Sequence, residues 1–445
     1  MGIKLLIENT IKSLIRRASI FSSNIANNNK LCLKVLACVI ASSTILKIVY
    51  VFLFTKYKRF IFADMLHYWS SAEKRYRGYI FDAGQWNIFP PVYHIIICEL
   101  FKIINFFGLL AYKLEIVLFL QILLCSLSVY ILYKISLDTI HNKLVALFAS
   151  GTYAFSYVMI YFKAFVLSEN IAIPLVIFSV WCLFRASSIF SFLCGIFLAI
   201  ATGIRPGYAV LAFPYVVYII LLKDTLTHRL KNLIFFFSIF ALVILLICQQ
   251  NDYISKGKVK GLGANGGINF FLAFTKTRSI TSLSDDLVSS LAPALNLKYP
   301  KRNDLLTMVP FHDNKVWFKC GLIYIRHHPI VLLERIRDLI FLYFGPLFPS
   351  TSEALWFKPL LLLSKLSMFI MTLVSFWVYL VFKSGKADNL KLYLLISIPL
   401  LMFVVHYFFC IEYRFLYGFA FVIHITFFAT LFELARWFKK KYHIY

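Results

Sequence analysis

Residues 231–250 read KNLIFFFSIFALVILLICQQ, and after Lys231 the run holds no charged side chain. About 20 apolar residues wound as helix cross the ~30 Å hydrocarbon core of a bilayer, and only a helix satisfies its own backbone groups there. Runs of this kind recur along all 445 residues. The chain is 61% hydrophobic, 18% aromatic and 15% charged, with a mean hydropathy of +0.79. Such a composition lies outside the range of water-soluble domains. The expected fold class is an all-α polytopic membrane protein.

Breaks at charges, Pro and Gly predict helices near 31–54, 91–108, 114–133, 143–162, 168–185, 189–204, 208–222 and 231–250, then near 356–382, 390–410 and 415–437. Met1 to Lys30 mixes Lys4, Glu8, Lys12, Arg16, Arg17 and an Asn cluster, so residues 1–30 read as a cytosolic N-terminal segment without a signal peptide. Residues 31–250 form a transmembrane module with a hydrophilic loop at 55–90. Residues 251–330 form a large loop, and 331–445 a C-terminal transmembrane region. Within it, Glu334, Arg335, Arg337 and Asp338 interrupt 330–349, which suits an interfacial helix as well as a span.

The formal charge of +26 is scattered between apolar runs. It therefore argues for topology and anionic headgroups, and against nucleic acid. The basic N-terminus, Lys223/Arg229/Lys231, Lys383/Lys386/Lys391 and Lys439–Lys441 fit the cytosol, which puts 55–90 and 251–330 outside. That arrangement needs an odd number of crossings before residue 250, whereas eight runs precede it. One run between 91 and 222 is then expected not to cross, and the total is expected at ten to twelve. Eight of the nine cysteines lie in apolar runs and Cys320 in a polar loop, so no disulfide framework or CxxC metal site is indicated.

The first loop reads RFIFADMLHYWSSAEKRYRGYIFDAGQWNIFPPVYH from Arg59. Asp64, His67, Tyr68 and Glu73 share roughly one helical flank, followed by Arg75 and Arg77. With Lys56, Lys58, Arg59 and Lys74 the loop carries six basic residues, an excess that opposes an outside location. Holding a phosphate is one use for them, and snorkelling from an interfacial helix is the other. Lys163, Glu169 and Arg205 lie in or beside apolar runs, where ionisable groups face cavities or partners. Glu169 also suits a helix start, and Arg205 before Pro206 a helix end. Gly263 to Gly267 offers tight turns or backbone N–H groups for an anion. Glu412 and Arg414 interrupt another apolar stretch.

The order of FADMLHYWSSAEKRYRG, FPPVYHIIICELFKIINFFG, LSEN at 167–170, GIRP at 203–206, GANGGINFF at 263–271, YIRHHP at 324–329 and EYRF at 412–415 resembles the GT-C glycosyltransferases. Within them it is most similar to the protein O-mannosyltransferases and the lipid A aminoarabinose transferase, over about residues 31–420. The resemblance implies a donor sugar carried on a polyprenyl phosphate, a glycan, lipid or protein acceptor, a non-cytosolic site and no cofactor or nucleotide. It places the catalytic acidic residue at Asp64. Met65 follows, where the mannosyltransferases often carry a second carboxylate, leaving Glu73, Asp82 or Glu169 to stand in. Tyr68, Glu73, Arg75, Arg77, Glu169, Arg205 and Arg414 are the candidates for holding substrate, with Arg75, Arg77 and Arg205 for phosphate. A polysaccharide polymerase or ligase and a lipid or solute transporter are the alternatives. The lack of Asn-x-Ser/Thr sites leans toward a bacterial cytoplasmic membrane. No ligand cluster for a metal is evident.

Overall fold

A computed structural model describes residues 28–61, 63–79, 90–263, 265–275, 313–344, 358–381, 389–409 and 418–441. Among them there is no strand. The helices in chain order are α1 (Asn29–Val49, extended by a π turn Tyr50–Phe54), α2 (Ala63–Tyr76), α3 (Val92–Phe106), α4 (Lys113–Ile140), α5 (Lys143–Phe155), α6 (Tyr157–Tyr161), α7 (Glu169–Phe184), α8 (Ser188–Ile204), α9 (Ala212–Leu221, after a 3-10 turn Pro206–Leu211) and α10 (Leu226–Ile254). There follow α11 (Gly266–Phe274), α12 (Asn314–His327), α13 (Val331–Phe344), α14 (Lys358–Val381), α15 (Asn389–Phe408) and α16 (Ala420–Lys441).

Five of these stretches are long and apolar enough to cross a membrane singly: Asn29–Phe54, Leu110–Ile140, Leu226–Ile254, Leu390–Phe408 and Ala420–Trp437. The pair α5–α6 passes together, bent by 47°, and four shorter apolar helices complete the bundle: Glu169–Phe184, Ser188–Ile204, Pro206–Leu221 and Leu362–Ser375. By length and composition the described helices thus supply five candidate spans, or six if the bent pair is one span. α10 shows why lipid is their solvent: only 11% of its apolar window is buried, and Leu230, Ile234, Leu242, Leu245 and Leu246 point outward. In water such a face would aggregate, whereas in hydrocarbon it needs no partner.

α3 lies beside one end of α4. The Tyr93 hydroxyl accepts from Gln121 Nε2 at 2.9 Å, and Lys113 Nζ lies 5.1 Å from the Phe101 ring centroid. Both ends of α3 therefore stay beside the first two turns of α4, well short of its far end. That far end is marked by Asp138, which pairs with Arg185 at 3.3 Å and whose carbonyl accepts from Lys391 Nζ.

The break between α5 and α6 leaves backbone groups without helical partners inside the bundle, which in hydrocarbon must be satisfied by protein. Lys47 Nζ on α1 donates to Ala154 O at 3.0 Å. Ser364 Oγ on α14 accepts from Val158 N at 3.5 Å and meets Ser156 Oγ at 3.1 Å. Elsewhere the helices approach through small side chains. Ser191, Gly195, Ala199 and Gly203 recur every four residues on α8 and are turned toward α10, the small-residue spacing that draws membrane helices together. A Cβ on Gly195 would stand 2.5 Å from Ile239 Cγ2 and 2.7 Å from Phe236 O.

The stretch expected as a large loop holds α11 and α12. Gly267 N donates to Asn314 Oδ1 at 2.7 Å, and a Cβ on Gly267 would lie 2.5 Å from Asn314 O, so this glycine serves helix packing here rather than an anion. Cys320, expected in a polar loop, is fully buried in α12. α13 spans only 14 residues, which fits the interfacial alternative. Its Arg335 donates to the carbonyls of His406, Tyr407 and Phe409 at 3.0, 3.2 and 2.6 Å, so it caps the end of α15.

Candidate functional site

Helix length makes the site. α4 has 28 residues, about 42 Å at 1.5 Å per residue, whereas α7 has 16 and α8 has 17, about 25 Å each. α7 starts level with Gln121, because Asn170 Nδ2 donates to Gln121 Oε1 at 3.1 Å. Gln121 lies two turns into α4, so the ends of α7 and α8 are sunk about 12 Å below the start of α4. The result is a recess in one end of the bundle.

Its floor is the buried strap that leads into α7, a 3-10 turn over Phe162–Ala164 followed by non-helical residues 165–168. Asn170 holds this strap: Oδ1 accepts from Lys163 Nζ at 2.7 Å, and Nδ2 donates to Phe162 O at 3.0 Å and Phe165 O at 2.9 Å. Lys163 is 2% exposed and has no carboxylate partner among the described residues. Next to the strap, Ser168 Oγ donates to Glu169 Oε2 at 2.9 Å. Glu169 is ion-paired with Arg205, whose Nη1 also reaches Ser168 Oγ at 3.5 Å. The sequence explains where Arg205 points. Pro206 excludes the α conformation from the residue before it. Arg205 is accordingly extended (φ −140°, ψ 102°), ends α8 and turns back onto the start of α7.

α2 lies against this floor. Asp64 stands half-buried in its first turn, where the helix dipole favours a carboxylate. Tyr68 is buried one turn later, edge-on to the Tyr93 ring at 4.8 Å, within hydrogen-bonding reach of Ser168 and in the field of Asp64, Arg205 and Glu169. Burial pushes the Tyr68 phenol up to about 12, followed in size by the Asp64 charge, so it stays a hydroxyl donor at neutral pH. Burial holds the half-buried His67 imidazole below its ordinary range, against an opposing pull from Asp64.

Asp64, Tyr68, Glu169 and Arg205 thus converge, and of the other described candidates Glu73, Arg75 and Arg77 do not. Glu73 accepts from Trp69 Nε1 at 3.0 Å and pairs with Lys113 at the start of α4. That position sets it at the rim, away from the Glu169–Arg205 pair. Arg75 is directed toward α3, in the field of His94, Cys98 and Lys102. Arg77 is exposed at the end of α2. Arg414, Glu412 and Asp82 lie outside the described residues. Glu169 is buried and ion-paired with Arg205, whereas Asp64 is half-buried in the first turn of α2.

Three contributors escaped the sequence reading. Tyr208 lies in the field of Arg205 and Glu169, and its hydroxyl would stand 2.9 Å from a Cβ on Gly418. His406 lies in the field of Arg205 and Arg335. Asn170 was within the LSEN motif, and its side chain next to a broken apolar run was the available signal. Among the described residues no group of three His, Cys, Asp or Glu is arranged to hold a metal ion. The chain matches no protein-family model and no curated protein.

Proposed function

We propose that this chain is a glycosyltransferase of the GT-C type that moves a sugar from a polyprenyl phosphate to an acceptor hydroxyl or amine on the non-cytosolic face of a bacterial cytoplasmic membrane. The observation that carries the proposal is the placement of Asp64 and Tyr68 over the Ser168–Glu169–Arg205 cluster in a recess sunk below the end of α4. A lipid-linked donor presents its phosphate near the headgroup boundary and keeps its tail in hydrocarbon. A recess at that depth, opening among apolar helices, suits both parts.

Chemically, the sugar already carries a good leaving group. The acceptor must lose a proton, the anomeric carbon must be attacked from the face opposite the phosphate, and the departing phosphate must be neutralised. Asp64 takes the acceptor proton as the new bond to the anomeric carbon forms and the carbon–oxygen bond to phosphate breaks, with inversion. The phosphate leaves as an anion stabilised by Arg205. Arg205 is suited to this because Glu169 and Ser168 fix its guanidinium while it remains 23% exposed. Tyr68, kept protonated, donates to an oxygen of the donor.

The test is mass spectrometry of polyprenyl lipids from cells lacking the protein, re-supplied with wild type or Asp64→Asn. Both the deletion and the variant are expected to accumulate one polyprenyl-phosphate sugar that wild type consumes, with transfer reduced at least about 100-fold in the variant. Unchanged lipids, or full activity of Asp64→Asn, would exclude this mechanism.

A further inference from the structure

Two lysines lie beneath the recess with no carboxylate partner among the described residues. Lys163 sits in the strap and Lys47 on α1, 2% and 0% exposed. Lys163 Nζ donates to Asn170 Oδ1 at 2.7 Å, and Lys47 Nζ donates to Ala154 O at 3.0 Å and to Ser43 O at 3.4 Å. The groups that act electrostatically on Lys47 are the Cys125 thiol and Lys163 itself, so the two cations stand in each other's field. Asn170 cannot turn to relieve this. Its Nδ2 donates to Gln121 Oε1, Phe162 O and Phe165 O, which fixes Oδ1 on Lys163.

A buried cation without a counter-charge is expensive to keep, and a second one in its field adds repulsion. Hydrogen bonds to an amide and to carbonyls solvate such charges without cancelling them. The recess lies directly above. Phe60, four residues before Asp64, stacks on Phe165 of the strap at 4.8 Å, so the chain enters α2 over the strap. Glu169, next to Asn170, is paired with Arg205, and Arg335 faces the carbonyls at the end of α15. Arg205, Glu169 and Asp64 together leave the floor one negative charge, which would repel an anion. Lys163 and Lys47 reverse that sign.

We infer that Lys163 and Lys47 make the recess selective for a lipid that bears a phosphate, acting through their field without touching the ligand. They are specificity-determining residues, kept buried at a cost in stability that the bound anion offsets. A unit charge at ~10 Å in surroundings of effective permittivity ~20 changes the affinity for a monoanion about tenfold. This role rests on the recess being a phosphate site, and it does not require Asp64 to be the base.

The test uses the full chain purified in a neutral detergent, with a polyprenyl phosphate and the polyprenol of the same length as probes, identical in tail and different in charge. Intrinsic tryptophan fluorescence reads affinity and thermal unfolding reads stability. Lys163→Gln removes the charge and retains a donor for Asn170 Oδ1. Wild type is expected to bind the phosphate at least about tenfold more tightly than the alcohol. Lys163→Gln should lose about tenfold of that preference with its affinity for polyprenol unchanged, and Lys47→Gln should lose as much. Before lipid is added, Lys163→Gln should unfold at or above the wild-type temperature, because a buried charge without a counter-charge has gone. Equal affinity for the two lipids in wild type would overturn the inference together with the phosphate reading of the recess. A wild-type preference that persists in either variant would overturn the role of the lysines alone. So would a Lys163→Gln protein that unfolds below wild type without lipid, since the lysine would then be part of the packing.

Discussion

Two carboxylates that sequence places in one candidate set, Glu169 and Glu73, end in opposite environments. Glu169 is 2% exposed and paired with Arg205 at 23%, whereas Glu73 and Lys113 are 30% and 28% exposed at the rim. The pairing chemistry is the same and the surroundings are not. In the recess, water cannot replace a lost partner, and Ser168 and Tyr68 are built around the pair. At the rim, water and salt substitute for either side chain. Participation in a site is thus decided by which helix end a charge sits on and how far that end is sunk, more than by residue type.

The largest effect should come from stranding Glu169. Arg205→Met leaves a carboxylate without its cation in a place water does not reach, at a cost of about 3–5 kcal/mol of stability. Thermal unfolding in detergent reads this directly. Glu169→Gln should cost less, because Arg205 retains some solvent contact, and Glu169→Gln/Arg205→Met should recover much of the loss. A double variant as unstable as the sum of the two singles would mean that the pair is uncoupled, and the contrast with Glu73 would fall.

A bulky, uncharged change separates the cost of the buried charge from the cost of moving the helix end that presents it. Gly195 lies on the same helix that ends at Arg205, and α10 leaves no room there for a Cβ. Gly195→Leu should force α8 and α10 apart, at about 1–3 kcal/mol in the same assay. Wild-type stability in this variant would show that the α8–α10 contact does not hold the recess in place.

Where apolar length dominates, the sequence was readable. α1, α4, α7, α8, α10 and α14 to α16 begin close to the predicted positions, because a run of Leu, Ile and Phe bounded by charge has one solution in lipid. The position of α3 was not legible. α3 is as apolar as its neighbours, and only its contacts with both Gln121 and Lys113 reveal that it stays at one end. The flank of Asp64 and Tyr68 followed from helical periodicity, while Glu73, on the same helix, was drawn away by Lys113, 40 residues on. Asn170 and Tyr208 were missed for the same reason: their roles come from contacts made across the bundle, which spacing along the chain does not record.

The smallest effect should be found at the rim, and it is the sharpest check on the comparison. Glu73→Gln and Lys113→Gln each remove one member of a partly exposed pair whose other contacts persist. In the first variant Trp69 Nε1 can still donate to the amide carbonyl that replaces the carboxylate, and in the second the aliphatic stem at position 113 still covers Phe101. Each single change should therefore cost under about 1 kcal/mol, and the coupling from the double-variant cycle should shrink as salt is raised from ~0.05 to ~0.5 M. The recess pair should show coupling several times larger and less sensitive to salt, because Glu169 is 2% exposed. If instead the two pairs couple equally and respond equally to salt, then depth in the bundle does not set their strength, and Glu73 returns as a candidate for the chemistry at Asp64.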